Sequence, residues 1–375
     1  MTHSRAARED RQQGLSRLGV TALVLLVLAG CGDGRSAASS RQHSSEREYR
    51  VAADQNATAQ QIIDAGGPVR VAASADRTLV AWRAESDDDE GPQQAAWRLY
   101  DERGGRIAEG TLGQVREQSA IPTLTAVADG FLIDNYAGHR LRHVAVDGAI
   151  SNVTISRGVR PTQSGDVLVE SQGGERLRFY HPADQTAYSL PKLPFGNPQG
   201  KVLDGRGRLW VLLVWSKREA KVASAAGGAG PWQRTTVPLQ EGGLPTGIHA
   251  AAGGVFVPTA HGKGMYPRID GLWQHSTNGT PSDPWSRLPI TGVNLEKTLQ
   301  PLVEALPDGR LVLIGESGVV WVQGADGTFI RATVPGQGVN GLPEVAGSRL
   351  FLSFTRDHQL YVSDNDGQSW RVFAR

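Results

Sequence analysis

Residues 347–370 read GSRLFLSFTRDHQLYVSDNDGQSW. Gly347-Ser348 is a tight turn, RLFLSF an apolar strand, TRDH a polar loop and QLYVS a second apolar strand. Asp366-Gly367 makes another tight turn ahead of Trp370. Gly and Asp accept the positive φ that two-residue hairpins demand, so the stretch reads as paired strands between two hairpin turns.

The first turn recurs along the chain. It stands at Ala75-Asp76, Asp129-Gly130, Gly165-Asp166, Asp204-Gly205, Gly253-Gly254, Asp308-Gly309 and Gly347-Ser348. The strands that follow are TLVAW, FLID, VLVE, RLWVLLV, VFVP, RLVLIG and RLFLSF. The second turn returns at Asp147-Gly148, Asn278-Gly279, Asp326-Gly327 and Asp366-Gly367. Seven units follow, beginning near Pro68, Pro122, Val159, Gln199, Thr246, Leu302 and Leu342, at intervals of 37 to 56 residues. Four-stranded propeller blades repeat at roughly 40–50 residues. The expected fold is therefore all-β, a seven-bladed propeller of four-stranded antiparallel blades over residues 51–375. Stacked blades bury both faces of each sheet and leave only short edges. A pair of sandwiches also permits alternating strands, but a turn marker repeated seven times favours the ring. Tyr49–Ala53 (YRVAA) is expected to add a closing strand to the last blade.

The N-terminus carries a different signal. Arg5, Arg8, Arg11 and Arg17 precede an eleven-residue apolar run, LGVTALVLLVL (18–28), which ends in Leu28-Ala29-Gly30-Cys31. The run is too short to span a bilayer and fits a signal-peptide core. The quartet matches the bacterial lipobox. Residues 1–30 are accordingly expected to be cleaved and Cys31 to be lipidated. Residues 31–50, polar and aperiodic, read as a flexible tether. Gly32 points to outer-membrane residence, facing the periplasm or the cell surface. Cys31 is the chain's one cysteine, which excludes an internal disulfide, a thiolate metal site and a cysteine nucleophile. Beyond Cys31 there are 35 basic and 36 acidic residues, so no basic excess argues for nucleic acid.

Ser363-Asp364-Asn365-Asp366-Gly367-Gln368-Ser369-Trp370 resembles the Asp box, Ser-x-Asp-x-Gly-x-Thr-Trp, with Asn365 in the aspartate position and Ser369 in the threonine position. Ala325–Phe329, Thr277–Gly279 and Ser224–Trp232 are weaker echoes. The motif is similar to that of sialidase-type (BNR-like) propellers. That resemblance implies that Ser363, Asn365, Gly367 and Ser369 shape a turn and that Trp370 packs, largely buried, between sheets. Catalytic sialidases also carry an Arg-Ile-Pro segment, three arginines, a Tyr–Glu pair and an acid/base Asp. No Arg-Ile-Pro occurs here; Pro267-Arg268-Ile269-Asp270 lacks the proline. The resemblance thus implies a non-catalytic member, with a sialidase-like glycoside hydrolase as the alternative and an immunity or inhibitor lipoprotein as a third reading.

In a propeller the short turns share one face, and the longer loops share the other. Ligands favour loops on a rigid concave scaffold. Those loops hold His139, Arg140, Trp215, Lys217, Arg218, His261, Lys263, Tyr266, Arg268, Arg356 and His358. Guanidinium forks match carboxylate or phosphate, and aromatic faces stack on sugars. An anionic ligand, glycan or acidic protein surface is the expected partner of a monomeric chain that meets the membrane through its lipid alone. No cofactor is expected. Asp87–Glu90 lacks the spaced oxygens of a calcium loop, and the histidines lack zinc spacing, so no metal is expected either.

Replacing Cys31 by Ser should release soluble protein and abolish incorporation of labelled lipid. A variant that keeps its label and fractionates with membranes would refute the lipobox reading.

Overall fold

The central strands of this chain are apolar on both sides, because each side faces a different neighbour. The structure, a computed structural model, describes residues 46–85, 91, 93–115, 122–135, 140–169, 178–195, 198–215, 219–239, 243–251, 254–261, 268–276, 280, 282–293, 302–314, 319–333, 341–354 and 359–374. The signal segment, Cys31 and the turn residues Gly253, Asn278 and Gly279 lie outside them.

Seven sheets follow one another along the chain. Blade 1 holds β1 (Gly67–Ala73), β2 (Arg77–Glu85), β3 (Gln93–Asp101) and β4 (Arg106–Val115). Blade 2 holds β5 (Thr123–Val127), β6 (Gly130–Asn135), β7 (Arg140–Ala145) and β8 (Ile150–Asn152). Blade 3 holds β9 (Thr154–Val159), β10 (Val167–Val169), β11 (Arg178–His181) and β12 (Thr186–Ser189). Blade 4 holds β13 (Gly200–Leu203), β14 (Arg208–Trp215), β15 (Glu219–Ala226) and β16 (Gln233–Pro238). Blade 5 holds β17 (Gly243–Pro245), β18 (His249–Ala251), β19 (Gly254–His261), β20 (Arg268–Ser276) and β21 (Ser286–Leu288). Blade 6 holds β22 (Leu302–Ala305), β23 (Leu311–Ile314), β24 (Val320–Gln323) and β25 (Phe329–Arg331). Blade 7 holds β26 (Gly341–Ala346), β27 (Arg349–Phe354), β28 (Gln359–Ser363) and β29 (Arg371–Ala374). The chain is a seven-bladed β-propeller.

Two blades depart from the simple meander. In blade 3 the order is β10-β11-β12-β9, and β9 joins β12 in parallel from the outside. Residues 160–163, ahead of the Gly165 turn, are not strand. In blade 5 both β17 and β18 pair with β19, so the first strand is broken at residues 246–248.

Closure of the ring is visible in the packing. Seven apolar clusters fill seven seams, one between each pair of neighbouring blades, including the last and the first. An open row of seven sheets would have six. Strand β2 shows the alternation: Val80, Trp82 and Ala84 face blade 7, while Leu79 faces blade 2.

The closing strand expected at Tyr49–Ala53 is a helix instead, α1, at residues 46–53. Glu46 and Arg50 pair one turn apart on it, an arrangement that supports a helix and not a strand. A second helix, α2 (Ala59–Ala65), starts at a capping box in which Thr58 accepts from the Gln61 N–H and Gln61 accepts from the Thr58 N–H. Every blade forms its own complete sheet, so no strand is shared across the seam. Ala52, Ile62 and Ile63 pack there with Trp82 and Tyr100 of blade 1 and with Phe351, Leu360 and Phe373 of blade 7. Phe373 meets both Tyr100 and Phe351 edge to face, with centroids 5.4 and 5.5 Å apart. The buried Arg349 guanidinium crosses the same seam to donate to Thr78 Oγ1 at 2.8 Å.

Because Ile62 is fully buried in that seam, Ile62→Ala should cost about 2–5 kcal/mol by leaving a cavity. Tyr49→Ala, on the exposed side of α1, should stay within about 0.5 kcal/mol. Denaturant midpoints of the two variants check the contrast.

Candidate functional site

Several short turns are tied from blade to blade by side-chain hydrogen bonds. Arg310 in the β22–β23 turn holds Asp308 through Nε at 2.7 Å. The same guanidinium grips Asp366 in the β28–β29 turn through two bonds of 2.6 and 3.1 Å. Arg77 of blade 1 donates to the Val146 carbonyl of blade 2 at 3.0 Å. Asp129 of blade 2 accepts from Gln185 and Tyr180 of blade 3. Thr162 and Ser164 of blade 3 donate to the Gly207 and Gly205 carbonyls of blade 4. A Cβ on Gly207 would lie 2.3 Å from the Gln163 carbonyl carbon, so this approach needs glycine.

Two histidine–aspartate pairs sit on this face. His143 Nε2 lies 3.3 Å from Asp129 Oδ1, and its ring stacks on Tyr180. Burial and the neighbouring Asp129 charge push the Tyr180 phenol above its ordinary pKa. His181 Nδ1 lies 2.5 Å from Asp166 Oδ1, while Asp166 Oδ2 accepts the Gln163 N–H. The His181–Asp166 pair ties the turn at Gly165 to β11. In blade 4, Asp204 likewise accepts the Arg206 and Arg208 N–H groups and the Trp210 indole N–H.

The turn at residues 363–370 forms as its bonding groups require. Ser363 Oγ accepts the Gly367 N–H at 2.8 Å, and Asn365 Oδ1 accepts the Ser369 N–H at 3.0 Å. Gly367 has φ +77°, and a Cβ there would lie 2.3 Å from that of Ala332. Trp370 is half-buried, not largely buried, and packs on the blade 6–blade 7 cluster from its rim.

On the opposite face, Arg140 opens β7, Trp215 closes β14, His261 closes β19 and Arg268 opens β20. These ends flank the connections between second and third strands, so the fold brings the four positions to one face. His261 is exposed. His139, Lys217, Arg218, Lys263, Tyr266, Arg356 and His358 lie outside the described residues.

Polar residues of the first strands escaped the sequence reading. These strands touch around the axis, β26 against β1, β1 against β5, and β10, β13, β18 and β22 in turn. Each is an edge of its sheet, so its unpaired backbone faces the axis. His249, Glu304 and Glu344 stand two residues before the end of the ladder in three successive blades, the ladders ending at Ala251, Leu306 and Ala346. Glu344 reaches across the seam to β1, where its Oε2 accepts the Val71 N–H at 2.7 Å and its Oε1 accepts from Arg70 at 3.1 Å. Burial pushes the Glu344 carboxyl above the usual range, although Arg70 and the Val71 N–H pull it down. Glu304 is raised by burial and by the charge of Glu344. Its side chain is exposed to water while protein crowds around it. Burial lowers the His249 pKa to about 4. The signal was present in the sequence as a polar residue three or four places before each turn, in VEALPDG, LPEVAGS and IHAAAGG. Among the described residues no three His, Cys, Asp or Glu gather as a metal site, and no helix is long and apolar enough to cross a membrane.

No family model matches the chain, and no curated protein matches it. Solved structures do. A puromycin hydrolase mutant complexed with PGG is similar at 15% identity with a TM-score of 0.50, over 87% of this chain and 56% of that one. A puromycin-hydrolyzing peptidase of Mycobacterium tuberculosis is similar at 13% identity with a TM-score of 0.48, over 86% and 55%. One of two prolyl endopeptidases is similar at 16% identity with a TM-score of 0.45, over 89% and 53%. The chain spans about half the length of these proteins. Likeness at this identity shows the fold alone. The kinship with sialidase-type propellers expected from residues 363–370 is corrected: these neighbours are propellers of the peptidase kind. The Ser363–Ser369 turn is made by local bonds among five residues, so it reports a turn geometry and not an ancestry.

Burial raises the Asp308 carboxyl, but the hydrogen bonds and charge of Arg310 more than offset this and leave it below the usual range. A depressed carboxylate stabilises the fold above its unfolded pKa, and that contribution is lost as pH falls through the folded value. Arg310→Met should therefore lose about 1 kcal/mol near pH 7, with the deficit shrinking towards about pH 3. Urea midpoints at both pH values read this directly.

Proposed function

We propose that the chain is a lipid-anchored protein of the bacterial cell envelope whose propeller binds a ligand or protein partner without transforming it. The anchor is Cys31, and residence in the outer membrane follows from Gly32. The observation that supports the binding role is that Arg140, Trp215, His261 and Arg268 stand at strand ends which share one face. On the short-turn face, Arg77, Asp129, Asp204, Arg310 and Asp366 are engaged in turn and inter-blade bonds. The opposite face receives Arg140, Trp215, His261 and Arg268 at strand ends, and its loops carry further cations and aromatics. A rigid ring that presents a cationic, aromatic loop face on a chain of nearly balanced charge favours an anionic ligand or an acidic surface. The neighbours described as peptidases make acidic peptides a reasonable class to include beside anionic glycans.

Arg218→Ala with Arg268→Ala should weaken binding at least tenfold on a panel of acidic peptides and anionic oligosaccharides, and should flatten its salt dependence, with thermal stability nearly unchanged. Surface plasmon resonance at two salt concentrations measures this. Binding that ignores both arginines, or that follows Asp308→Ala and Asp366→Ala instead, would put the site on the wrong face.

A further inference from the structure

We infer that the outer edge formed by β8 and β9 docks a second copy of this chain, the two copies pairing edge to edge and antiparallel about a two-fold axis at Asn152. The chain passes from the outer strand of blade 2 to the outer strand of blade 3 with Val153 alone between them. Residues 150–159 (ISNVTISRGV) thus run as one extended stretch. β8 pairs with β7 and β9 with β12, and among the described residues no strand lies on the outer side of either.

Burial sets this edge apart from the other outer strands. Along β9 the side chains are exposed except for the half-buried Ser156, and β8 is exposed throughout. The outer strand of blade 1, β4, by contrast buries Leu112 and is met by α2. Val146, Ile150, Ile155 and Val159 are half of the large apolar side chains exposed among the described residues, and all fall within residues 146–159. Clustered exposure of this kind marks an interface, and β-branched residues on a free edge invite another strand.

Charge selects the strand that fits. Residues 31–45 offer nothing apolar beyond alanine and Cys31, and Arg35 and Arg41 would meet the like charge of Arg157. A second copy is complementary. With Asn152 on the axis, Ile150 faces Thr154, and Asp147 of each copy falls opposite Arg157 of the other. Both are exposed, and neither has an ion-pair partner among the described residues. Asp147 Oδ1 accepts the Ala149 N–H, which leaves its other oxygen open. Arg160, the next cation, is already held by Asp184 at 3.3 Å. The ladder to β12 skips residues 156–158, so Arg157 stands on a bulge, where an edge strand bends and re-aims a side chain. The proposal departs from the monomer expected from the sequence, and it stands whether or not the loop face binds an anion.

The test uses the full chain in a non-ionic detergent, followed by sedimentation velocity over a wide range of protein concentration. The parent should reach a dimer and go no further, since a two-fold contact closes on itself. Arg157→Asp or Asp147→Arg should weaken the dimer about tenfold or more, because each turns two attractive pairs into repulsive ones. The double swap should restore it, which a merely structural role for either residue would not do. Asn152→Cys should form a disulfide with its own counterpart on mild oxidation, since facing residues of an antiparallel pair stand about 4.5–5.5 Å apart, within disulfide reach. The parent, with Cys31 alone, and Ile150→Cys, displaced from the axis, set the background. A chain that stays monomeric, a dimer indifferent to both charge reversals, or Asn152→Cys crosslinking no faster than that background overturns the inference. Should Asp147→Arg not fold, Arg157→Asp and the Asn152→Cys rate decide.

Discussion

Ring closure at the seam between blade 7 and blade 1 is the constraint on which everything else rests. Every other seam joins blades that adjoin in sequence, so the chain itself keeps them near. This seam joins residues some 270 positions apart, as the Arg70–Glu344 and Arg349–Thr78 bonds record. No shared strand holds it. Apolar packing does, with α1 and α2 supplying Ala52, Ile62 and Ile63 between the two end blades. Burial of this kind is non-directional and scales with area. The directional part comes from Glu344, which satisfies a backbone N–H on the free edge of β1 that would otherwise face the axis unpaired.

Once closed, the ring divides its polar residues by role. Turn residues hold blades together, since Gly and Asp shape hairpins and the Arg and Asp side chains then reach the next blade. Residues such as His249, Glu304 and Glu344 stand on the inner edge strands of their sheets.

Much of the architecture was legible because hairpin chemistry repeats. Asp308-Gly309 and Gly347-Ser348 announce the same turn in different blades, and the number and starts of the blades follow from them. Three features were hidden. The segment Tyr49–Ala53 alternates weakly enough to read as a strand, but its helix is set by the Glu46–Arg50 pair and by the burial of Ala52 in a seam formed by residues far along the chain. The exchange of β9 for a first strand in blade 3 has no local signal, since Thr154–Val159 reads as any other exposed strand. The Ser363–Ser369 turn was legible as a turn and misleading as a sign of kinship, because its bonds are all local. As for the site, the fold gathers Arg140, Trp215, His261 and Arg268 on one face, whereas Glu304, Glu344 and His249 became visible only when strand register placed them at one level.

Hydrogen exchange across the seam tests the account most directly. If the N-terminal segment closes the ring, amides in α2 and β1, Val71 among them, belong to the same cooperative unit as the inner strands of blade 4. They should then exchange as slowly as those of β13 and β14. If residues 59–73 exchange rapidly while blades 2 to 6 stay protected, the segment is a frayed end, and the seam is held by something other than the packing of Ile62, Ile63, Trp82 and Phe351.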